Sequence, residues 1–321
     1  MEKRIHHGIK VISAGPLLTI QDAGRYGYMA YGIGESGVMD RRAYQIANRL
    51  VGNDHGEAVL EATLMGPGLE FLEDTVIAIT GADMEPTLDD SKVGLYEAIP
   101  VKKGQVLHMG FAKTGCRSYI AVAGGIDVPQ VFGSRSTNLK CHMGGLHGGP
   151  VKNGDLLPTK KLSFFKKIKI SRGGSKVTPT MYTNRVRVRV IPGPQDDCFS
   201  DQGLQSFYSG EYKVSSQSDR MGIRLEGNEV ESKQGTDIIS DGIVFGSIQI
   251  TSSGKPIILM ADHQTTGGYA KIGTVVTEDL PLLAQVRPGD QVQFEKIEIA
   301  SWERQQDVEK TAVYAGVRKR A

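Results

Sequence analysis

The sequence predicts a mainly β protein of two β-rich halves with a few short helices, and three observations carry that expectation. Glycine occupies 40 of 321 positions without a Gly-X-Y period, roughly twice its usual share. Such a chain makes many tight turns, and many turns imply many short strands. One turn device recurs in Val101-Lys102-Lys103-Gly104-Gln105-Val106-Leu107, in Val151-Lys152-Asn153-Gly154-Asp155-Leu156-Leu157 and in Val286-Arg287-Pro288-Gly289-Asp290-Gln291-Val292. Each sets a basic residue in solvent beside a glycine that takes the positive φ of the turn, then returns to apolar alternation. Helical periodicity is scarce, whereas a parallel α/β sheet would need a helix after each strand.

Along the chain, residues 69–71, 75–80, 118–123, 186–191, 212–215, 246–251 and 291–297 have strand composition. The alternation Arg185-Val186-Arg187-Val188-Arg189-Val190 puts valines inward and arginines on a solvated face. Pro256-Ile257-Ile258-Leu259-Met260-Ala261 is apolar throughout, as a strand covered on both faces must be. The longest helix starts at the capping carboxylate of Asp40, aligns Ala43, Ala47 and Leu50, and stops at Gly52. Residues 201–208 and 278–284 are shorter helical candidates. A Gly/Ser/Thr/Lys-rich stretch at 171–180 reads as a linker, dividing the chain into residues 1–175 and 176–321.

Composition narrows the function. With 39% apolar and 23% charged residues and a net charge of +2, the chain reads as a soluble protein without a nucleic-acid partner. Its basic runs, Lys166-Lys167-Ile168-Lys169 and Arg318-Lys319-Arg320, read as solvated edges. Cys116, Cys141 and Cys198 are too irregularly spaced for a disulfide framework or a zinc site, which points to the cytoplasm. Cys141-His142-Met143-Gly144-Gly145-Leu146-His147 lacks a further metal ligand at suitable spacing, so no metal is expected. The segment Met1-Glu2-Lys3-Arg4-Ile5-His6-His7 has no apolar signal core, and no apolar run reaches membrane-spanning length. Gly254-Lys255 runs into Pro256 without the glycine of a phosphate loop. No Met-Lys pair offers a biotin attachment site.

The candidate site is Asp262-His263-Gln264-Thr265-Thr266-Gly267-Gly268-Tyr269, directly after the apolar run. A carboxylate, amides, hydroxyls and a phenol at the end of a core strand suit a small polar ligand. Further polar clusters lie where strands meet turns: Gln21-Asp22-Ala23-Gly24-Arg25, Ser36-Gly37-Val38-Met39-Asp40, Gly133-Ser134-Arg135-Ser136-Thr137, Gly193-Pro194-Gln195 and Ser218-Asp219-Arg220-Met221-Gly222. An Asp-Arg pair of this kind can also pin one strand end to another.

Taken in order with Ala123-Gly124-Gly125-Ile126-Asp127-Val128-Pro129, these motifs resemble the allophanate-hydrolase-subunit-2 or KipA-like family, also called biotin-dependent carboxyltransferase-like. The resemblance implies two cyclophilin-like β-barrel domains. It implies the C subunit of an ATP-dependent 5-oxoprolinase, a hydrolase that opens the lactam of 5-oxoproline to glutamate. The implied partners are a subunit-1 or KipI-like protein (the B subunit of 5-oxoprolinase) and the lactam-hydrolase A subunit. ATP is the implied cofactor of the complex, and the chain is expected to be inactive alone, joined to its partner through open barrel edges.

In that reading Arg220, Gln264, Thr265 and Thr266 supply donors to the developing oxyanion. Asp219 and Asp262 orient them or move a proton, and Tyr269 covers the ring. Gln195, Asp22, Arg25, Asp40 and Arg135 complete the expected substrate contacts. Two alternatives stand beside it: a carboxyltransferase acting on urea or another amide with biotin supplied by another protein, and a non-enzymatic antagonist of a sensor-kinase inhibitor. Gly149, His263 and Ala270 depart from the family pattern, which commonly has Arg, Arg and Pro there; a lost guanidinium is a lost anion contact.

Overall fold

The computed structural model describes residues 8–54, 56–161 and 176–306. Residues 171–175 of the expected linker, the segment Met1–His7 and both basic runs lie outside the described residues. The chain is mainly β with few short helices, as expected.

The first half holds β1 (Ile9–Ser13), β2 (Leu18–Gln21), β3 (Val59–Thr63), β4 (Gly68–Phe71), β5 (Thr75–Asp83), β6 (Thr87–Leu88), β7 (Ser91–Lys92), β8 (Ala98–Val101), β9 (Val106–His108), β10 (Thr114–Val122) and β11 (Leu156–Leu157). They form a six-stranded sheet in the order β11-β1-β4-β9-β6-β7 and a five-stranded sheet in the order β2-β3-β10-β5-β8. Ile9, Val11, Ile20, Leu60, Ile79, Leu107 and Ile120 lie in the core these sheets share. Helix α1 (Arg41–Leu50) buries Ala43, Tyr44 and Ala47 against Val59, Ala78, Tyr119 and Ala121 of the five-stranded sheet. Asp40 caps it as expected, its Oδ1 accepting from Ala43 N at 2.8 Å.

The second half holds β12 (Arg185–Pro192), α2 (Asp201–Ser209), β13 (Tyr212–Val214), β14 (Gly222–Glu226), β15 (Asp237–Gly242), β16 (Ser247–Ile250), β17 (Pro256–Leu259), β18 (Thr266–Tyr269), β19 (Lys271–Val275), α3 (Leu280–Leu283) and β20 (Gln291–Lys296). Seven strands close into a barrel, β12-β19-β16-β17-β14-β13-β20, while β15 and β18 form a separate two-stranded sheet. Closure depends on a parallel pair, β12 with β20, in register from Arg185↔Gln291 to Val190↔Lys296. Val186, Val188 and Val190 point inward as the alternation requires, joined by Ile223, Ile248, Ile258 and Val292. Phe207 of α2 stacks on Phe294 with ring centroids 4.4 Å apart and plugs one end.

Every strand read from composition falls on an observed one. The strands without such a signal are mostly short pieces of two to five residues in the first half. A two-residue strand has no room for alternation and is defined by its neighbour's hydrogen bonds.

The halves interlock. Met39 of the first half belongs to the barrel's core. Gln285 Oε1 accepts from Cys116 N and Arg117 N, both at 2.9 Å, while its Nε2 donates to Asp40 Oδ2 at 2.9 Å and Arg117 O at 3.0 Å. Arg117 Nη1 answers by donating to Ala284 O at 2.6 Å. Gly115 leaves room for this amide, since a Cβ there would lie 2.8 Å from Gln285 Oε1. Gln285→Ala strands two buried N–H groups at once and is expected to cost about 2–4 kcal/mol, read from the midpoint of urea unfolding.

Candidate functional site

The candidate site lies on the outer face of the barrel. Strands β14, β17 and β16 run side by side, with Arg224 opposite Ile257 and Ile257 opposite Gln249. Because side chains alternate, Ile223, Ile258, Ile248 and Ile250 fill the interior, and Gly222, Arg224, Ile257, Leu259, Gln249 and Thr251 face outward. Asp219 and Met221 from the turn before β14, together with Gln264 and Tyr269, close over this face. They border a partly open cavity of about 270 Å³. The apolar run is covered on both faces because one side fills the barrel and the other floors the cavity. Two grooves beside α2, of about 350 and 400 Å³, share Tyr208, Ser209 and Lys296 and contain none of the Asp262–Tyr269 residues.

Lys271 holds the roof in place. It is 5% exposed, and its ammonium donates to Asp241 Oδ2 at 2.5 Å and Gly242 O at 2.9 Å, tying β15 to the barrel. That bond holds the Asp241 carboxyl below its usual range. Gln249 Nε2 donates to Tyr269 O at 3.0 Å. The double glycine of β18 serves this approach: a Cβ on Gly267 would meet Ile243 Cδ1 at 2.5 Å and Gln249 Nε2 at 2.7 Å.

Only some of the expected site residues meet here. Asp219, Gln264 and Tyr269 line the cavity. Asp219 Oδ1 is engaged by the N–H groups of Met221 (2.8 Å) and Gly222 (3.1 Å). Thr265 and Thr266 stand beside it at the two-stranded sheet of β15 and β18, where Thr265 O accepts from Ile243 N and Thr266 pairs with Gly242. Gln195 lies behind the roof, its Oε1 accepting from Lys271 N at 3.2 Å.

Arg220 and Asp262 require a correction. Arg220 is 4% exposed. Its Nε donates to Asp262 Oδ2 at 2.9 Å, its Nη2 to Asp262 Oδ1 at 3.1 Å and Gly37 O at 2.6 Å, and its Nη1 to Glu61 Oε1. Four of the five N–H groups of a guanidinium are thus committed, and Asp262 is bound to the same cluster. Burial alone would lower the pKa of Arg220; the Asp262 and Glu61 carboxylates overcome this and hold it above its ordinary value. The pair bridges the two halves, and neither residue lines the cavity.

Asp22, Arg25, Asp40 and Arg135 are likewise internal joints, and none lines the cavity. Asp22 Oδ1 accepts from the hydroxyls of Ser134 and Ser136 at 2.6 Å, and its Oδ2 from Arg135 N at 2.6 Å. Arg25 Nη2 donates to Ser136 O at 2.5 Å, and Arg135 Nε to Val128 O at 2.9 Å. Asp40 Oδ2 accepts from Gln285 and from Tyr182 Oη at 3.1 Å. His263, where a guanidinium is common, turns inward and donates from Nδ1 to Gln264 O at 2.6 Å. Ala270 uses an N–H that proline lacks, donating to Thr236 O at 2.8 Å.

Sequence reading missed Arg224, Gln249 and Lys271. The alternations Ile223-Arg224-Leu225 and Ile248-Gln249-Ile250 carried the signal for the first two, since each places one polar residue on the face opposite the core. Chemically the cavity can bind more readily than attack. Thr251 Oγ1 is engaged with Lys255 O and Ser253, and the free groups are the Gln264 amide, the Gln249 amide oxygen, the Tyr269 phenol, a carboxylate oxygen of Asp219 and the Arg224 guanidinium. Among the described residues no cluster of His, Cys, Asp or Glu could hold a metal ion, and no helix is long and apolar enough to cross a membrane.

A closed seven-stranded barrel with a polar cavity on its outer face, locked to a second two-sheet half, defines a two-part β protein. The chain belongs to the family described as carboxyltransferase domain, subdomain A and B, which matches residues 31–296. It is 41% identical over 286 residues to the C subunit of the 5-oxoprolinase of Escherichia coli (strain K12), covering 89% of this chain and 90% of that one. It is 34% identical over 301 residues to urea amidolyase of Saccharomyces cerevisiae, covering 89% of this chain and 16% of that one. The crystal structure of the K. lactis urea amidolyase superposes with a TM-score of 0.85 at 30% identity, covering 95% of this chain and 20% of that one.

Arg220→Ala leaves Glu61 and Asp262 buried without their cation and is expected to destabilise the fold by about 3–5 kcal/mol, seen as a lowered denaturation midpoint without any ligand. Burial raises the pKa of Asp40 above its ordinary 3.8, partly offset by bonds from Ala43, Gln285 and Tyr182. The folded state therefore binds that proton more tightly than the unfolded chain. This contribution is complete below the ordinary value and is lost as pH rises through the folded one. Urea midpoints measured from pH 3 to 7 should fall for the wild type relative to Asp40→Asn as pH rises; parallel profiles would contradict the assignment.

Proposed function

We propose that this chain is the C subunit of an ATP-dependent 5-oxoprolinase, which converts 5-oxoproline to glutamate. The observation that carries the proposal is the 41% identity to the E. coli protein, because it spans nine-tenths of both chains. The urea amidolyase of S. cerevisiae matches over only 16% of its own length.

The cavity suits a small lactam. Ile257, Leu259 and Met221 offer an apolar bed for a ring, and Tyr269 a cover. The amide of Gln264 is the available donor for the lactam oxygen, where negative charge grows as the ring opens, and Asp219 the available carboxylate. Arg220 and Asp262 act at one remove, by fixing the loops that carry Asp219 and Gln264.

ATP is the cofactor of the assembled complex. The partners are a subunit-1 or KipI-like protein (the B subunit of 5-oxoprolinase) and the lactam-hydrolase A subunit, in the cytoplasm. The barrel is closed, so the docking edges are those of the two-sheet half and of β15. The second reading, favoured by the likeness to the K. lactis enzyme, is a carboxyltransferase that takes biotin from another protein.

The test is to purify the chain alone and co-expressed with both partners, then assay ATP-dependent glutamate release from 5-oxoproline. Turnover is expected only from the assembled complex. Full turnover by the chain alone overturns its role as one component of several, and biotin-dependent carboxylation of urea without glutamate release establishes the second reading.

A further inference from the structure

Among the described residues Arg224 is the only cationic one lining the cavity, and its guanidinium makes no hydrogen bond or ion pair with any of them. Every other arginine on which the folded core depends is engaged: Arg25 with Ser136 O, Arg117 with Ala284 O and Arg220 with its two carboxylates. An arginine projecting from a barrel strand at the open side of a polar cavity, with all its side-chain donors free, is an anion receptor by its chemistry.

Register gives this receptor a direction. Arg224, Ile257 and Gln249 stand in one cross-strand row, on β14, β17 and β16. Gln249 spends its Nε2 on Tyr269 O, and its Oε1 carries no bond, leaving an acceptor for an N–H. Neighbouring strands lie about 4.8 Å apart, so the two ends of the row are about 10 Å apart at the backbone. A five-membered lactam bearing a carboxylate bridges such a gap when each end adds a hydrogen bond of about 3 Å.

We infer that Arg224 is the specificity residue of the cavity: it selects ligands that carry a carboxylate and orients them, with the carboxylate on Arg224, the ring on Ile257 and the amide N–H on Gln249 Oε1. This rests on the proposed activity, with the cavity as its substrate site. It separates the cavity's ligand from urea, which has the amide and lacks the anion.

Calorimetric titration of the full chain, alone and in the co-expressed complex, tests it with three probes: 5-oxoproline, its uncharged carboxamide and 2-pyrrolidinone. The wild type should bind 5-oxoproline at least tenfold more tightly than either uncharged lactam. Arg224→Met should lower 5-oxoproline affinity to that of the carboxamide, and Arg224→Lys should recover part of the preference. Arg224 is exposed and unpaired, so unchanged thermal midpoints are expected for both variants. Equal affinity of the wild type for charged and uncharged lactams, or an undiminished preference in Arg224→Met, overturns the specificity role and leaves the substrate assignment standing. Failure of the wild type to bind any of the three overturns the cavity as the substrate site, and this inference with it.

Discussion

The guanidinium of Arg220 is the interaction on which the rest of the arrangement depends. Removing a cation and two carboxylates from water costs several kcal/mol per ion, recovered only where the geometry is close and the remaining groups are bonded. Here both conditions hold, because Asp262 is gripped through both oxygens, Glu61 also accepts from Met39 N at 2.9 Å, and Gly37 supplies a carbonyl. The cluster joins β3, the loop before α1 and the loop after β17. Those two loops carry Met39 into the barrel core and Gln264 to the cavity. Loosening the cluster would therefore disturb the interface and the site together.

Outside this seam the molecule is organised by strand alternation. Ile258 and Ile257 are consecutive, yet one belongs to the barrel core and the other to the cavity floor. The barrel needs no opening at its end to hold a ligand, since the two-stranded sheet of β15 and β18 converts part of its outer wall into one side of a cavity. Lys271 is central to that conversion. A buried ammonium would be costly alone, and its bonds to Asp241 and Gly242 both neutralise it and fix the roof's height.

Much of this was legible in the residues. Composition disclosed the β architecture, the cap at Asp40 disclosed α1, and the abrupt end of the run at Ala261 disclosed where Gln264 and Tyr269 would converge. What misled was residue type without direction. Asp219 and Arg220 are adjacent, but one faces the cavity and the other turns across the seam, and nothing in a dipeptide distinguishes those fates. The clusters around Asp22 and Arg135 look like a ligand site for the same reason, since a loop joint and a ligand site draw on the same serines, carboxylates and guanidinia. Arg224 and Gln249 were hidden differently, each reading as one solvated position in an alternating strand until the cavity beside them is seen.

The parallel pairing of β12 with β20 has a consequence for how the chain is made. Partners such as Arg187 and Gln293 are 106 residues apart, and most of the barrel's sequence lies between them. During synthesis the two-sheet half leaves the ribosome early and can assemble from its own segments. The barrel stays an open sheet, its first and last strands unpaired, until β20 emerges. Contacts this distant form slowly because a long loop must close before any bond is gained. An open sheet with free edges is also the form most prone to pair with a neighbouring chain. Any shortening from the C-terminal side that reaches β20 therefore removes the piece that turns a sheet into a barrel, and the expected product is aggregate rather than a smaller folded protein.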